Sequence, residues 1–172
     1  MRVLLHACCG PCAVYPVDAL RAAGLDPHLY FHNPNIQPFQ EHQRRREAVE
    51  LLAEKRAVPL ILDDSYDPET WLRMVAFRES VRCRLCYRER LSAAARAARR
   101  GGFDAFTTSI LYSKQQKHEL ARDLAEAAGE EEGVPFLYRD FRAGWKAGIE
   151  ESKRLGMYRQ QYCGCIFSER DR

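Results

Sequence analysis

The sequence has no apolar run that approaches the roughly 20 residues needed to span a bilayer. Its apolar start, residues 3–6, is too short for the core of a signal peptide, and Cys8 follows almost at once. From these absences we expect a cytoplasmic protein with no membrane partner. Repeats, low-complexity tracts and linkers are also lacking, so residues 1–172 are expected to form a single domain.

Lysine is scarce: five of the 27 basic residues are lysine and the other 22 are arginine. The net charge of +3 permits an RNA partner without requiring one. Arginine binds phosphate through a bidentate fork, although a solvated surface arginine is the simpler explanation at any single position. The candidates are Arg44, Arg45, Arg46, Arg78, Arg82, Arg84, Arg142 and Arg159.

Strand-like and helix-like runs alternate along the chain. We predict strands at residues 3–6, 28–32, 59–62 (closed by Asp63 and Asp64), 106–110 and 135–138. We predict helices at residues 13–23, 39–55, 67–78, 84–100, 116–128 and 144–155. Gly129 is expected to stop the fifth helix, Glu130–Glu132 to form a solvated loop, and residues 158–172 to be irregular. This alternation predicts an α/β fold, a parallel sheet of about five strands flanked by helices.

Seven cysteines fall in three tight groups, and none lies elsewhere. The groups are Cys8, Cys9 and Cys12; Cys83 and Cys86; and Cys163 and Cys165. An odd number of cysteines in a reducing compartment is poorly explained by disulfides. Buried structural cysteines would be scattered singly, so the grouping predicts one assembled site.

The first group follows strand one and enters helix one. Ligands of doubly wound sheets bind beyond the carboxyl ends of the strands, and helix N-termini stabilise thiolates. Cys83 and Cys86 lie one turn apart on a helix, where C-x-x-C alone is ambiguous between zinc, a redox dithiol and a cluster. Cys163 and Cys165 flank Gly164, which lets both sulfurs turn toward one point. Seven thiols exceed the four that structural zinc or a four-iron cluster takes, which favours a cluster with a second metal.

Five ordered segments resemble the epoxyqueuosine reductase family of the QueH type over nearly the whole chain. They are LLHACCGPCA (4–13), FHNPNIQPFQEHQRR (31–45), CRLCYRERL (83–91), FTTSILYSKQQKH (106–118) and DFRAGWKAGIEESKRLGMYRQQYCGC (140–165). The resemblance implies a [4Fe-4S] cluster beside one additional iron or other divalent metal, independence from cobalamin, and a fold similar to the nucleotide-binding α/β unit of ATP pyrophosphatases. It implies removal of the epoxide oxygen from epoxyqueuosine in the anticodon of tRNA, with an electron donor of unknown identity.

Within this resemblance one position departs from the family pattern. Some relatives carry aspartate where this chain has Cys12, which favours the single metal for this residue. We hypothesise that Cys9, Cys83 and Cys86 bind the cluster. The single iron would then be bound mostly by Cys8, Cys12, Cys163 and Cys165, one of which also completes the cluster. His42 replaces a tyrosine common in its motif.

Removing the epoxide oxygen requires two electrons and two protons. The candidate proton donors or substrate contacts are His6, Lys114 and His118. A buried structural role is the alternative for His6, and an exposed helical position is the alternative for His118. Tyr158 and Tyr162 are candidates for stacking on the substrate base. Asn33 and Asn35 are expected to form a turn rather than touch substrate, and Ser109 and Ser113 to cap a helix.

Two other interpretations stay open. A cluster-dependent tRNA thiolase of the ATP-pyrophosphatase kind would need a Ser-Gly-Gly-x-Asp-Ser phosphate loop after strand one, where this chain has CCGPC. A non-catalytic zinc or redox-sensing module would be colourless and zinc-loaded after anaerobic purification.

Overall fold

The computed structural model describes residues 1–63 and 65–172, so Asp64, expected to close strand three, lies outside the described residues. The strands are β1 (Arg2–His6), β2 (Asp26–Phe31), β3 (Leu60–Leu62) and β4 (Ala105–Thr108). The helices are α1 (Gly10–Ala22), α2 (Phe39–Arg56), α3 (Pro68–Val75), α4 (Arg82–Arg100), α5 (His118–Glu132), α6 (Trp145–Arg154) and α7 (Ile166–Arg170). Short 3₁₀ turns cover Glu79–Val81, Ser109–Tyr112 and Phe141–Gly144.

The four strands form one parallel sheet in the order β3-β2-β1-β4. The central strand β1 pairs on both edges, and Val3, Leu4 and Leu5 are fully buried. Such burial is the normal state of a parallel strand covered by helices on both faces. The α/β class with a parallel, helix-flanked sheet is therefore confirmed.

The predicted fifth strand is reduced to an isolated parallel bridge between Phe106 and Phe136. Two backbone hydrogen bonds make it: the amide of Phe106 donates to Pro135, and the amide of Leu137 donates to Phe106. Pro135 has no N–H to extend the ladder, which limits the pairing. The prediction of about five strands was thus one too many.

Two predicted helix boundaries were wrong for local reasons. Helix α1 begins at Gly10, since Pro11 fits its first turn, rather than at residue 13. Helix α5 runs through Gly129 and the three glutamates to Gly133, which caps it with a φ of 68°. Gly129 is needed instead for close packing, because a Cβ there would lie 2.8 Å from the carbonyl oxygen of Val134.

Two further differences lie near the cysteines. Helix α3 ends at Val75 rather than at residue 78, and the tail expected to be irregular contains the short helix α7. No helix among residues 1–63 and 65–172 is long and apolar enough to cross a membrane.

Candidate functional site

The first cysteine group sits at the carboxyl end of β1, where the chain enters α1. Cys9 is the N-cap of α1 and Gly10 is its first residue. A Cβ at Gly10 would overlap the backbone carbonyl of Ala48 in α2, so only glycine lets the two helices approach this closely. The sheet and two helices therefore fix the backbone that presents these sulfurs.

The three sulfurs of this group lie close together. The sulfurs of Cys8, Cys9 and Cys12 are all within 4.8 Å of one another, and those of Cys8 and Cys9 are 4.0 Å apart. Two thiolates on one tetrahedral metal ion with bonds of ~2.3 Å are about 3.8 Å apart. The group, called the N-terminal triad below, therefore has the spacing of ligands to one metal ion.

One thiolate is favoured within the N-terminal triad. Hydrogen bonds from the thiols of Cys12 and Cys9 lower the pKa of Cys8 well below its usual value. Hydrogen bonds to Cys8 and Cys9 raise the pKa of Cys12, because they stabilise its thiol form. Burial raises the pKa of Cys9. Ser109, expected to cap a helix, also supports Cys8: its hydroxyl oxygen accepts from the Cys8 amide at 3.0 Å and lies 3.3 Å from the Cys8 sulfur.

The second group occupies the first turn of α4. Cys86 is buried and Cys83 half-buried, and both line a cavity of about 550 Å³. Burial raises the pKa of the Cys86 thiol to about 12, although the charge of Arg90 opposes the shift. Arg90 lies one turn further along the same helix and is itself fully buried.

The third group, Cys163 and Cys165, is held by side chains rather than by a sheet or a long helix. The Arg45 guanidinium donates to the carbonyl oxygens of Cys163 at 2.7 Å and Tyr162 at 2.8 Å, and to the Glu41 carboxylate at 2.7 Å. Arg45 is 1% exposed and Glu41 5%. We call this buried pair with its carbonyl contacts the tail clamp.

Four of the candidate RNA-binding residues have partners within the chain. Arg45 was a candidate for phosphate contact, but it is buried and its donors are bound within the chain. The Tyr158 hydroxyl donates to Glu41, and the Tyr162 hydroxyl donates to the carbonyl of Gln37. Arg142, another phosphate candidate, pairs with Asp140 at 2.6 Å.

All three groups meet at the cavity. Its wall includes six of the seven cysteines, namely Cys8, Cys12, Cys83, Cys86, Cys163 and Cys165. The expected division placed Cys9 apart from Cys8 and Cys12, whereas the structure brings these three sulfurs together. Sulfurs from the beginning, middle and end of the chain therefore share one chamber at the carboxyl edge of the sheet.

Arg90 supplies a buried positive charge to this chamber. Burial alone would lower the pKa of its guanidinium, but thiolate charge at Cys86, Cys163 and Cys8 outweighs burial and raises it. One Arg90 nitrogen donates to the Asn33 side-chain oxygen at 3.2 Å, and the Asn33 amide donates to the Ala7 carbonyl. Arg90 follows Cys86 by four residues, so both side chains lie on the same face of the helix. This spacing could have identified Arg90 as a site residue from the sequence, but Arg90 was not among the predicted residues.

Further polar groups around the cavity were also missed. The side-chain amide of Gln160 donates to the Cys12 sulfur at 3.1 Å, and that of Gln116 donates to the Cys163 sulfur at 3.2 Å. Among the described residues, the buried side-chain nitrogens of Asn35 and Trp71 and the Nε of Arg90 have no hydrogen-bond partner. These three residues belong to the cavity wall, and their N–H donors suit a ligand rich in acceptor atoms.

The candidate proton donors lie elsewhere. His6 is fully buried, with its ring nitrogens bonded to the Thr108 hydroxyl at 2.9 Å and the His32 carbonyl at 3.1 Å. His118 bonds the Tyr138 hydroxyl, and Lys114 is exposed. Within the described chain none of the three belongs to the cavity wall, although Lys117 does. Their catalytic roles stay predictions.

The fold and the cavity together define a class: an α/β protein whose thiol-lined chamber, at the carboxyl edge of a parallel sheet, can hold metal. Residues 3–171 match the family described as epoxyqueuosine reductase QueH. The chain belongs to this family. The resemblance drawn from the five segments is thereby confirmed, and so is the oxidoreductase class.

Relatives of the same description cover almost all of the chain. It is 39% identical over 171 residues to Epoxyqueuosine reductase QueH of Dehalococcoides mccartyi, covering 99% of this chain and 94% of the relative. It is 35% identical to that of Histophilus somni, covering 99% and 73%, and 33% identical to that of Thermotoga maritima, covering 96% and 89%.

Similarity to solved structures extends to the fold alone. A predicted subunit of tRNA methyltransferase from Methanocaldococcus jannaschii superimposes with a TM-score of 0.63 at 11% sequence identity, covering 89% of this chain and 76% of that one. The shared architecture supports the α/β class and carries no information on substrate.

Proposed function

We propose that this chain removes the epoxide oxygen of epoxyqueuosine in tRNA to give queuosine, using iron held by its cysteines. The observation that carries the proposal is the family match over residues 3–171 together with six cysteines around one cavity. The substrate places the enzyme in the cytoplasm, where a separate electron donor supplies the two electrons.

The donor set fits iron. Thiolates are the usual ligands of iron–sulfur clusters, and N–H groups directed at sulfur are a known means of tuning them. Six thiols line the chamber, and the seventh, that of Cys9, lies beside Cys8 and Cys12. The chamber also has a buried cation at Arg90 and unpartnered N–H groups of Asn35 and Trp71. A [4Fe-4S] cluster would use four thiols, which leaves three for an additional iron or other divalent metal.

The assignment of ligands is proposed only where the arguments agree. Cys83 and Cys86 are assigned to the cluster, because they share one helical turn on the cavity wall. Cys12 is assigned to the single metal, because it lies in the compact N-terminal triad and because the family resemblance implies that a carboxylate ligand can take its place. When bound, the cluster supplies electrons one at a time and the second metal supplies a Lewis acid.

The chain's own residues shape the environment of the reaction. Arg90 offsets the negative charge of the thiolates, and the tail clamp closes the chamber by holding residues 162–163 against α2. Protons are proposed to come from His6, Lys114 or His118. Lys114 precedes Gln115, Gln116 and Lys117, which line the cavity.

The test is anaerobic purification with metal analysis and a visible spectrum, followed by incubation with epoxyqueuosine-containing tRNA and a strong reductant. Nucleosides released from the tRNA are then resolved by mass spectrometry. We expect a brown protein that converts epoxyqueuosine to queuosine. A colourless, zinc-loaded protein without turnover would instead support the metal-sensing alternative.

Single cysteine variants test the ligand assignment by iron counting. Cys83→Ala is expected to lose the cluster absorbance and most of the iron. Cys12→Ala is expected to keep the cluster absorbance and lose about one iron, and Cys12→Asp to regain it, because carboxylate can replace thiolate as a ligand. Ser65→Ala, at an exposed position, is the control. Unchanged iron in Cys83→Ala contradicts the assignment.

A further inference from the structure

We propose that Phe77 is a stacking platform for an unpaired base of the tRNA anticodon loop. The inference rests on the proposed function, since it takes tRNA as the partner. Phe77 has a fully exposed ring in the segment between α3 and the 3₁₀ turn that precedes α4.

The exposure of Phe77 is extreme. Its relative exposure is 100%, whereas the next most exposed large hydrophobic residue, the terminal Met1, reaches 55%. Its backbone is left-handed, with a φ of 59°. This conformation is unfavourable for a bulky residue, so adopting it costs free energy. The Glu79 carboxylate accepts from the Phe77 amide at 3.1 Å and thereby holds this conformation.

The segment that carries Phe77 joins two walls of the cavity. On one side Trp71 and Val75 are buried with Cys165, and Trp71 lines the chamber. On the other side Arg82 and Cys83 line the chamber. A base stacked on Phe77 would therefore bind to the segment that joins these two walls, outside the chamber itself.

The charge around Phe77 favours RNA. Arg73, Arg78 and Arg84 are all exposed, and within the described chain none of them lies within ion-pair distance of a carboxylate. Arginines without carboxylate partners in the segments that flank an exposed aromatic ring match the requirements of single-stranded nucleic acid, whose bases stack and whose phosphates need counter-charge.

The aromatic residues proposed from the sequence are less available. The hydroxyls of Tyr158 and Tyr162 are bonded within the chain, and their rings lie beneath the guanidinium groups of Arg44 and Arg45. Phe77 leaves both faces of its ring open, since nothing covers it.

The experiment measures the affinity of the metal-loaded enzyme for a fluorescent anticodon stem-loop RNA by anisotropy. Phe77→Ala is expected to weaken binding by roughly tenfold, the usual loss for one stacked base. Phe77→Trp is expected to bind like the wild type and to show quenched tryptophan fluorescence. Val81→Ala, another exposed apolar position nearby, is the control and is expected to leave affinity unchanged.

The fully exposed ring makes Phe77→Ala a clean variant, so iron content and thermal stability should match the wild type. Equal RNA affinity in Phe77→Ala overturns the inference. If the RNA affinity of Phe77→Ala is unchanged and its turnover is slower with a protein electron donor but not with a chemical reductant, the Phe77 surface docks the donor instead of the RNA. A wild-type enzyme that neither binds the RNA nor converts epoxyqueuosine overturns the proposed function itself.

Discussion

The two ends of the chain bring cysteines to the same cavity by different means. The N-terminal triad stands on a central strand paired on both edges and on a helix packed so closely that Gly10 touches α2. Cys163 and Cys165 stand on a tail whose position depends on Arg45, Glu41 and a few backbone contacts. One half of the site is placed by regular structure and the other by a buried ion pair.

This difference predicts that the two halves can be separated by mutation. Damage to the tail clamp should release the third cysteine group while the triad stays assembled. Damage to the contact between α1 and α2 should disturb the triad while the tail clamp persists.

The largest effect is expected for Arg45→Met. The substitution leaves the Glu41 carboxylate buried without its partner and removes both bonds to the tail carbonyls, which should lower the free energy of unfolding by about 3 kcal/mol. Urea denaturation measures the loss, and limited proteolysis should show new cleavage within residues 158–165.

The exposed neighbour provides the matched control. Arg44→Met should change the free energy of unfolding by less than about 0.5 kcal/mol. Cys9 should stay protected from alkylation in the metal-free Arg45→Met protein. Exposure of Cys9 together with the tail would show that the two halves are one cooperative unit.

A smaller effect is expected for Gly10→Val. A side chain there overlaps the Ala48 carbonyl, so α1 must shift, at a cost of about 1–3 kcal/mol. The Cys8 thiol should lose its lowered pKa and alkylate more slowly near neutral pH. Ala22→Val, at the exposed end of the same helix, is the control. In Gly10→Val, proteolysis of the tail is expected to follow the wild-type pattern.

The smallest effect concerns pH. Burial opposes charge on His32, but hydrogen bonds and charge from Glu89 and Asp63 outweigh burial and raise its pKa above 6.5. A raised folded-state pKa stabilises the fold fully below about pH 6.5, and this contribution is lost as pH rises through the folded-state value. His32 links β2 to α4, so this loss acts on the rigid half of the molecule.

Urea midpoints measured across neutral pH should therefore decline toward alkaline pH in the wild type, and His32→Gln should flatten this part of the curve. The same decline in both proteins would show that another group is responsible. Proteolysis of residues 158–165 should not follow this pH dependence, because the tail clamp contains no histidine.

Regular elements were predictable where pattern and burial agree. The buried run of β1 and the Ala-rich inner face of α4 show their structure in the sequence alone. The prediction of a fifth strand failed, because the residues at 135–138 do not reveal that their pairing in the described part of the chain is limited to a single bridge at Phe136. Gly129 was misjudged as a helix stop because a glycine required by close packing and one required by a left-handed cap look identical in sequence.

The sequence by itself determined the chemistry: seven thiols in three groups at the ends of elements, and segments specific to one family. Only the tertiary structure decided which side chains surround and hold those thiols. Arg45 is one of 22 arginines and nothing local marks it as buried, and the spacing of Arg90 four residues after Cys86 does not by itself show that Arg90 is buried. Burial and long-range pairing arise when segments over a hundred residues apart pack together. The local sequence pattern around a residue does not show which distant segment it will contact.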